Sequence, residues 1–212
     1  MPTKHPPLSV VWLKRDLRLE DHEALSAALE GRKSVLLLYV AEETLLAEEH
    51  FSSRHLNFIK ESIADMNRRL VQFNTEVLAA HGEVVAVLEI LHQEFEIEAV
   101  YSHYETEIGL TYRRDLELQK WLKSEGIIWL EYRQQGVFRG LQNRKSWTEM
   151  WEEFMQKPQK PYPKKEQKFV AVHTLKKIQS KFKLMDLNTI PNSKVQPGGV
   201  TYAKRYLNSF FE

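Results

Sequence analysis

Short apolar runs divide the first 130 residues at regular intervals, and this alternation restricts the fold more than any other feature of the chain. The runs are rich in Val, Ile, Leu, Tyr and Trp, and polar residues rarely interrupt them. They cover residues 8–13, 35–40, 76–80, 99–102 and 127–130. Runs of this kind are typical of strands that are buried on both faces, as in a parallel sheet. We therefore predict five buried parallel strands.

Amphipathic stretches separate these runs. The longest carries apolar residues three and four positions apart, a spacing that places them on one face of a helix. They are Leu56, Ile59, Ile63, Met66, Leu70 and Phe73. Shorter stripes predict helices at 24–29 and 84–95, and a fourth helix over 111–124 is expected to end before Gly126. Strands alternating with helices through right-handed crossovers predict an α/β fold, a five-stranded doubly wound parallel sheet of the Rossmann-like type.

The pattern changes after the fifth run. Residues 147–155 form one more amphipathic stripe, and the following 156–168 carry three prolines and five lysines with a single acid. We predict an α/β domain over 1–155, an interdomain linker over 156–199 that holds a short helix, and in 200–212 the first helix of a truncated helical domain. The aromatic face of that last helix has no following element to pack against. A terminal helix docked on the α/β domain is the alternative.

Composition excludes several classes of function. The chain has no cysteine, so it holds no disulfide, zinc–thiolate site, iron–sulfur cluster or thiol nucleophile. Its formal net charge of +1 gives no overall electrostatic case for binding nucleic acid. The apolar runs are too short to cross a bilayer, and the N-terminus lacks a signal-peptide core, so we expect a soluble, cytoplasmic protein with no membrane partner.

Standard catalytic and metal motifs are also missing. No pair of histidines has the helical spacing of a zinc protease, and His50 and His55 are five residues apart. No nucleophile elbow or catalytic triad is evident. We therefore predict neither a catalytic residue nor a metal ligand in this chain.

A dense set of charges follows the first predicted strand, at 14–22. In a doubly wound sheet, ligands bind outside the carboxyl ends of the strands, where the strand order reverses. The segment contains no glycine, so it matches neither the dinucleotide fingerprint nor a P-loop. From the residues alone, it is either part of a ligand crevice or a self-paired charge network that caps the first helix.

The same region resembles the opening signature of the photolyase/cryptochrome family. Residues 10–25 read Val-Val-Trp-Leu-Lys-Arg-Asp-Leu-Arg-Leu-Glu-Asp-His-Glu-Ala-Leu. Further matches follow in the same order, and those in the fourth segment resemble a bacterial branch of the family. They lie at 53–65, 101–106, 112–115, 136–151 and 196–199. The departures are Lys14, where Arg is commoner, and Gly140 and Lys145, where Arg and Asp are frequent.

The resemblance implies a two-domain flavoprotein, a light-dependent deoxyribodipyrimidine photolyase that repairs UV-induced pyrimidine dimers in DNA. The α/β half would shelter an antenna chromophore, which is a folate, a deazaflavin or FMN in such proteins. The helical half, missing here, would hold FAD and the UV-damaged DNA, so this chain alone would not be an active carbon–carbon lyase. A cryptochrome blue-light photoreceptor and a stand-alone nucleotide-binding α/β module are the alternatives. No protein partner is predicted.

The resemblance further places seven candidate cofactor-binding residues at the ends of three strands. They are Arg15 and Asp16 after the first, Ala41 and Glu42 after the second, and His103, Tyr104 and Glu105 after the fourth. In the implied site Tyr104 would stack on the chromophore, Glu105 would accept ring N–H groups, and Arg15 would face a phosphate or a ring carbonyl. Each could instead be structural, with Arg15 and Asp16 paired locally.

Overall fold

The computed structural model describes residues 6–106, 109–190 and 194–211. Its strands are β1 (Pro7–Leu13), β2 (Ser34–Ala41), β3 (Leu78–His81), β4 (Glu96–His103) and β5 (Ile128–Tyr132). Its helices are α1 (Glu23–Glu30), α2 (Glu43–Leu46), α3 (Ser53–Leu70, continued by a 3₁₀ turn, Val71–Phe73), α4 (Val84–Glu94), α5 (Gly109–Ser124), α6 (Trp147–Met155), α7 (Val172–Gln179) and α8 (Val200–Phe211).

The five strands form one parallel sheet in the order β3-β2-β1-β4-β5. The chain moves outwards from β1 to β3 and then crosses back to β4 on the other side of β1. The strand order therefore reverses beside β1, which is the position where α/β sheets bind ligands. The predicted doubly wound parallel sheet is confirmed.

Side chains of the central strands alternate between two cores. Val10 and Trp12 of β1 face the core that α4, α5 and α7 cover, while Val11 and Leu13 face the core of α1 and α3. Both cores consist of apolar side chains, so β1 and β2 lack the polar alternation of half-exposed strands. For β5 the expectation of burial on both faces was wrong. It is an edge strand, and Ile128 is 59% exposed.

Much of the predicted linker segment packs against the sheet. The Val35 N–H donates to the Lys168 carbonyl at 2.8 Å, and the Val170 N–H donates to the Val35 carbonyl at 2.9 Å. This contact extends the sheet beside the first half of β2, which β3 does not reach because its pairing begins at Leu38. The domain boundaries stay a prediction, but 168–170 is held by backbone hydrogen bonds of the α/β unit.

The stretch after 170 adds side chains to the core and covers the outer edge of β3. Leu175, Ile178 and Phe182 are buried in the core of α4 and α5. The Met185 N–H donates to the Ala79 carbonyl at 2.9 Å, so this stretch runs antiparallel to β3. The lysines and prolines that suggested a linker lie mostly before α7 and on its exposed face.

Two consecutive glycines allow α8 to approach α3. A Cβ on Gly198 would lie 2.2 Å from the Phe58 carbonyl oxygen, and one on Gly199, whose φ is +107°, would lie 2.7 Å from Asp65 Cβ. The Thr201 hydroxyl then donates to Asp65 Oδ1 at 2.6 Å. This close contact fixes the start of α8 on the α/β unit.

None of the helices in the described ranges is both long and apolar enough to cross a lipid bilayer.

Truncating Leu175 tests whether the segment after 156 is structural. Leu175→Ala should lower the free energy of unfolding by about 2–5 kcal/mol, because it leaves a cavity in a fully buried position. The measurement is urea unfolding followed by circular dichroism. The exposed neighbour variant Lys177→Ala should change it by less than about 0.5 kcal/mol. Equal, small effects of both variants would show that α7 is not part of the core.

Candidate functional site

A pocket of about 570 Å³ opens at the carboxyl ends of β1 and β2. Its walls come from residues of the β1–α1 loop, the end of β2, the segment that leads into α3, the first half of α3, and the first turn of α8. Aromatic side chains from four places line it: Trp12, Tyr39, Phe51 and Phe58. The volume and the mostly apolar lining are those of a site for one small molecule.

One wall of the pocket is a buried charge cluster around Arg114 of α5. Its guanidinium donates to Glu42 Oε2 at 2.7 Å, to Asp115 Oδ1 at 2.8 Å, and to Glu105 Oε2. Burial alone would lower the pKa of Arg114, but the three carboxylates outweigh burial and raise it. Arg114 is therefore a fixed cation that neutralises neighbouring acids.

Glu42 differs from the other acids in this cluster. Its side chain is 2% exposed, and Oε2 is paired with Arg114, but Oε1 has no hydrogen-bond partner among the described residues. Burial raises the pKa of Glu42 to about 7, although Arg114 acts in the opposite direction. Oε1 of Glu42 is thus a solvent-shielded oxygen in the pocket wall that no described residue satisfies.

Lys14 is a second buried cation near this wall. Its ammonium lies 3.6 Å from Asp115 Oδ1 and 4.2 Å from the ring centroid of Trp12. Burial lowers the pKa of Lys14, and the attraction of Asp115 only partly offsets this. The cation–π contact holds the Trp12 ring where it lines the pocket.

Asp16 is the centre of a separate hydrogen-bonded hub behind the pocket. Its Oδ1 accepts the Lys14 N–H at 2.7 Å, and its Oδ2 lies 2.5 Å from His103 Nδ1 and 3.0 Å from His22 Nε2. The other nitrogen of His22 accepts the Leu25 N–H at 3.1 Å and so caps α1. The hub ties the β1–α1 loop to the end of β4.

The electrostatics of this hub favour an ionised Asp16 and a neutral His22. Burial would raise the pKa of Asp16, but His22 and His103 together hold it well below the usual range. Burial lowers the pKa of His22 despite the attraction of Asp16, which favours the neutral imidazole.

The side chains of Asp16, His22 and His103 are of types that bind metals, and their ligand atoms lie within 4.8 Å of one another. The Asp16–imidazole separations are those of hydrogen bonds, so we interpret the group as a hub.

The structure divides the seven predicted residues into two groups. Arg15, Glu42 and Glu105 line the pocket. Glu105 has both oxygens engaged, since Oε1 lies 3.3 Å from Arg15 Nε and Oε2 accepts from Arg114. That Glu105 also accepts a ring N–H group stays a prediction, because a carboxylate oxygen can accept more than one hydrogen bond. Arg15 contacts Glu105, whereas the carboxylate of Asp16 contacts His22 and His103.

The remaining four residues lie outside the pocket lining. Asp16 and His103 belong to the buried hub. Ala41 is buried at the end of β2, where its carbonyl accepts the Gly82 N–H at 3.1 Å. The Tyr104 hydroxyl donates to the Val137 carbonyl at 2.7 Å, and the Tyr104 ring lies under the Arg139 guanidinium. A ligand contact for any of the seven remains a prediction.

Sequence reasoning missed Arg114 and the aromatic residues before and within α3. Arg114 could have been noticed, because it falls on the same face of α5 as the buried Leu118 and Leu122. An arginine on an apolar stripe needs buried acids as partners. Phe51 and Phe58 carry no comparable signal, since exposed and pocket-lining aromatics look alike in a sequence.

Comparisons with known proteins agree on one family. A family model described as DNA photolyase matches residues 9–166. Cryptochrome DASH of Gloeobacter violaceus is 34% identical over 114 residues, which are 51% of this chain and 23% of that protein. The crystal structures of a Synechocystis cryptochrome and of a class III photolyase from Agrobacterium tumefaciens superpose with TM-scores of 0.75 and 0.73, each at 19% identity over 99% of this chain. The chain covers 47% and 45% of those two proteins, so it spans less than half their length.

Substitutions at His22 test the hub. His22→Asn should cost about 1–2 kcal/mol at neutral pH, because its amide oxygen can accept the Leu25 N–H but its NH₂ group is too short to reach Asp16. His22→Leu can do neither and should cost about 2–4 kcal/mol. Urea unfolding of the three proteins measures both values. Similar losses for Asn and Leu would show that hydrogen bonding at this position is unimportant.

The pH dependence of the free energy of unfolding of the same proteins distinguishes the contribution of His22 from that of Asp16. Because the pKa of His22 is lowered in the folded state, the unfolded chain binds more protons as pH falls below about 6.5, and stability is lost there. The depressed pKa of Asp16 acts only below about pH 4. Between about pH 7.5 and about pH 5, wild type should therefore lose more stability than His22→Asn. Parallel curves would contradict a neutral, buried His22.

Proposed function

The chain belongs to the DNA photolyase family, and on that premise we propose that it is the antenna-binding α/β domain of a light-dependent deoxyribodipyrimidine photolyase. In this proposal the reactive FAD and the surface for UV-damaged DNA lie in a separate helical domain, and the protein acts in the cytoplasm. The α/β domain supplies no catalytic group. Its task is to hold a light-absorbing molecule.

The pocket at the ends of β1 and β2 is the observation that supports this proposal most strongly. About 570 Å³ is enough for one planar heteroaromatic ring system, and Trp12, Tyr39, Phe51 and Phe58 provide apolar surface for it. A folate, a deazaflavin and FMN each carry a flat ring system of this kind.

Each part of the pocket has a simple role in holding an antenna. The aromatic residues would contact the ring faces, and Arg15 and Arg18 at the β1–α1 loop would face a phosphate or carboxylate tail. The hub around Asp16 and the cluster around Arg114 would keep these walls rigid. An antenna passes on its excitation without bond chemistry, so binding and orientation are what the protein must provide.

A cryptochrome photoreceptor is the second candidate, and the Gloeobacter relative, itself named a cryptochrome, favours it. Both candidates assign the same antenna role to this domain. They differ in whether a helical domain retains a lesion pocket.

Blocking the pocket tests the antenna role. The chain is titrated with FMN, a reduced folate and an 8-hydroxy-deazaflavin, and binding is followed by the fluorescence of each compound. At least one should bind, and Ala203→Trp should weaken it about tenfold or more, because Ala203 lines the pocket from the exposed side of α8. Asn208→Trp places the same side chain on α8 outside the pocket lining and should have no effect. Failure of all three compounds to bind would reject the proposal.

A repair assay tests the proposal that the FAD and DNA sites lie in another domain. The chain mixed with reduced FAD and a dimer-containing oligonucleotide is expected to leave the dimers intact under blue light, because the FAD and DNA sites are assigned to another domain. Dimer content is measured by chromatography. Light-dependent repair by this chain alone would contradict that assignment.

A further inference from the structure

We propose that the lysine-rich stretch 156–183, the basic belt, binds the phosphate backbone of a nucleic-acid duplex without reading its base sequence. This surface is additional to the one for UV-damaged DNA, which the proposed function assigns to a separate helical domain. The inference uses no contact of the pocket and does not require a ligand there.

Charge is distributed unevenly along the chain. Residues 156–183 carry nine lysines and one acid, Glu166, which gives them a net charge of +8. The remaining residues hold the other 21 of the 30 basic side chains and the other 28 of the 29 acids, a net charge of −7. The near-neutral charge of the whole chain therefore results from a strongly basic segment and an acidic remainder, and a local field can bind a polyanion that the net charge would not attract.

Most lysines of the basic belt are not neutralised by neighbouring acids. Lys181 and Lys183 form ion pairs with Glu94 and Glu43. No acid in the described part of the chain forms an ion pair with the other seven, of which six are exposed and one is partly exposed. These seven are Lys157, Lys160, Lys164, Lys165, Lys168, Lys176 and Lys177.

The backbone of the basic belt is fixed to the α/β unit. The Lys160 carbonyl accepts the Asp21 N–H at 2.8 Å, and the Lys168 carbonyl accepts the Val35 N–H at 2.8 Å. Helix α7 follows directly and is anchored by the buried Leu175, next to the exposed Lys176. Lysines on a fixed backbone lose less conformational entropy on binding than lysines on a flexible tail.

The second half of the basic belt lies along one edge of the sheet. The contact between Lys168 and Val35 is beside β2, and the Lys183 carbonyl accepts the His81 N–H of β3 at 2.7 Å. Both contacts are on the side of the sheet that ends with β3, whereas β5 forms the opposite edge. The basic belt therefore presents its charges along an elongated rim, as a linear polyanion requires.

The apolar side chains of the basic belt favour a duplex over other anionic partners. Its aromatic residues Tyr162, Phe169 and Phe182 pack on the two cores, and no large hydrophobic side chain of the described 156–183 stretch is exposed. Single strands are held by stacking on exposed aromatic rings, membranes by insertion of apolar side chains, and protein interfaces by an apolar centre. Contacts between ammonium groups and phosphates require none of these.

All basic side chains of the belt are lysines, and this predicts binding without sequence preference. Lysine acts as a compact point charge, whereas the planar fork of arginine is the side chain that most often reads guanine edges. The partner class is thus a duplex backbone of any sequence.

Two triple variants with the same net charge provide the test. Lys164→Gln/Lys165→Gln/Lys168→Gln removes three charges from the basic belt. Lys120→Gln/Lys123→Gln/Lys145→Gln removes three exposed lysines elsewhere and is the matched control, since both variants change the formal net charge from +1 to −2. The exposed positions make loss of folding unexpected, and circular dichroism checks this.

Binding to a fluorescein-labelled DNA duplex of about 20 base pairs is followed by fluorescence anisotropy from about 50 to about 200 mM salt. Wild type should bind two unrelated sequences equally well, with a Kd of about 10 µM or tighter at the lowest salt, and should lose affinity about tenfold or more over this range. The belt variant should bind about tenfold or more weakly than wild type at the lowest salt, and the control variant should stay within about threefold.

Each other outcome overturns the inference. Equal weakening by the two variants would show that net charge alone matters, and wild type without salt-dependent duplex binding would leave the basic belt without this partner. Tighter binding to a single strand of the same length, or to phosphatidylserine vesicles, would reject a duplex as the partner. The antenna titrations contain no nucleic acid, so failure of the basic belt and failure of the antenna site are observed separately.

Discussion

The buried carboxylate of Asp16 organises the carboxyl edge of the sheet. It accepts a backbone N–H from Lys14 at the end of β1 and contacts His22 at the start of α1 and His103 at the end of β4. One charge thereby joins the two strands between which the strand order reverses. Without it, the β1–α1 loop would have to find other partners for several buried polar atoms, which is costly in a dry core. The shape of the pocket wall in front of this loop depends on the hub behind it.

The cluster around Arg114 lies at the same edge of the sheet, where it offsets the repulsion between neighbouring acids. Three acids from separate elements would repel one another if they were buried alone, and Arg114 brings them together by contacting all three. The guanidinium thereby fixes the Glu42 side chain in the pocket wall, so the same ion pairs neutralise the buried acids and hold this wall in place.

The sequence predicted the fold well because burial on two faces leaves a direct signature in strands β1 to β4. The prediction was wrong for the run that became β5, which is apolar but lies at an edge of the sheet. Residues 156–199 are polar in composition, and nothing in the sequence indicated that Leu175 and Ile178 are buried in the core. The pocket lies at the ends of β1 and β2, two of the three strand ends at which site residues were predicted, but the sequence does not predict side-chain directions. Position in a sequence cannot show that His103 faces a hub, or that Tyr104 reaches the Val137 carbonyl.

Helix α8 connects the pocket to a surface that the α/β unit does not cover. Its first turn lines the pocket and is fastened to α3 through Thr201 and Asp65, whereas Phe210 and Phe211 near its other end are 81% and 78% exposed. A helix of this length is stiff, so whatever packs on those aromatic side chains takes a fixed position relative to a molecule in the pocket. Transfer of excitation depends on distance and orientation. Under the proposed function, the helix that closes the antenna site is therefore also the element that sets its geometry towards a flavin-binding domain.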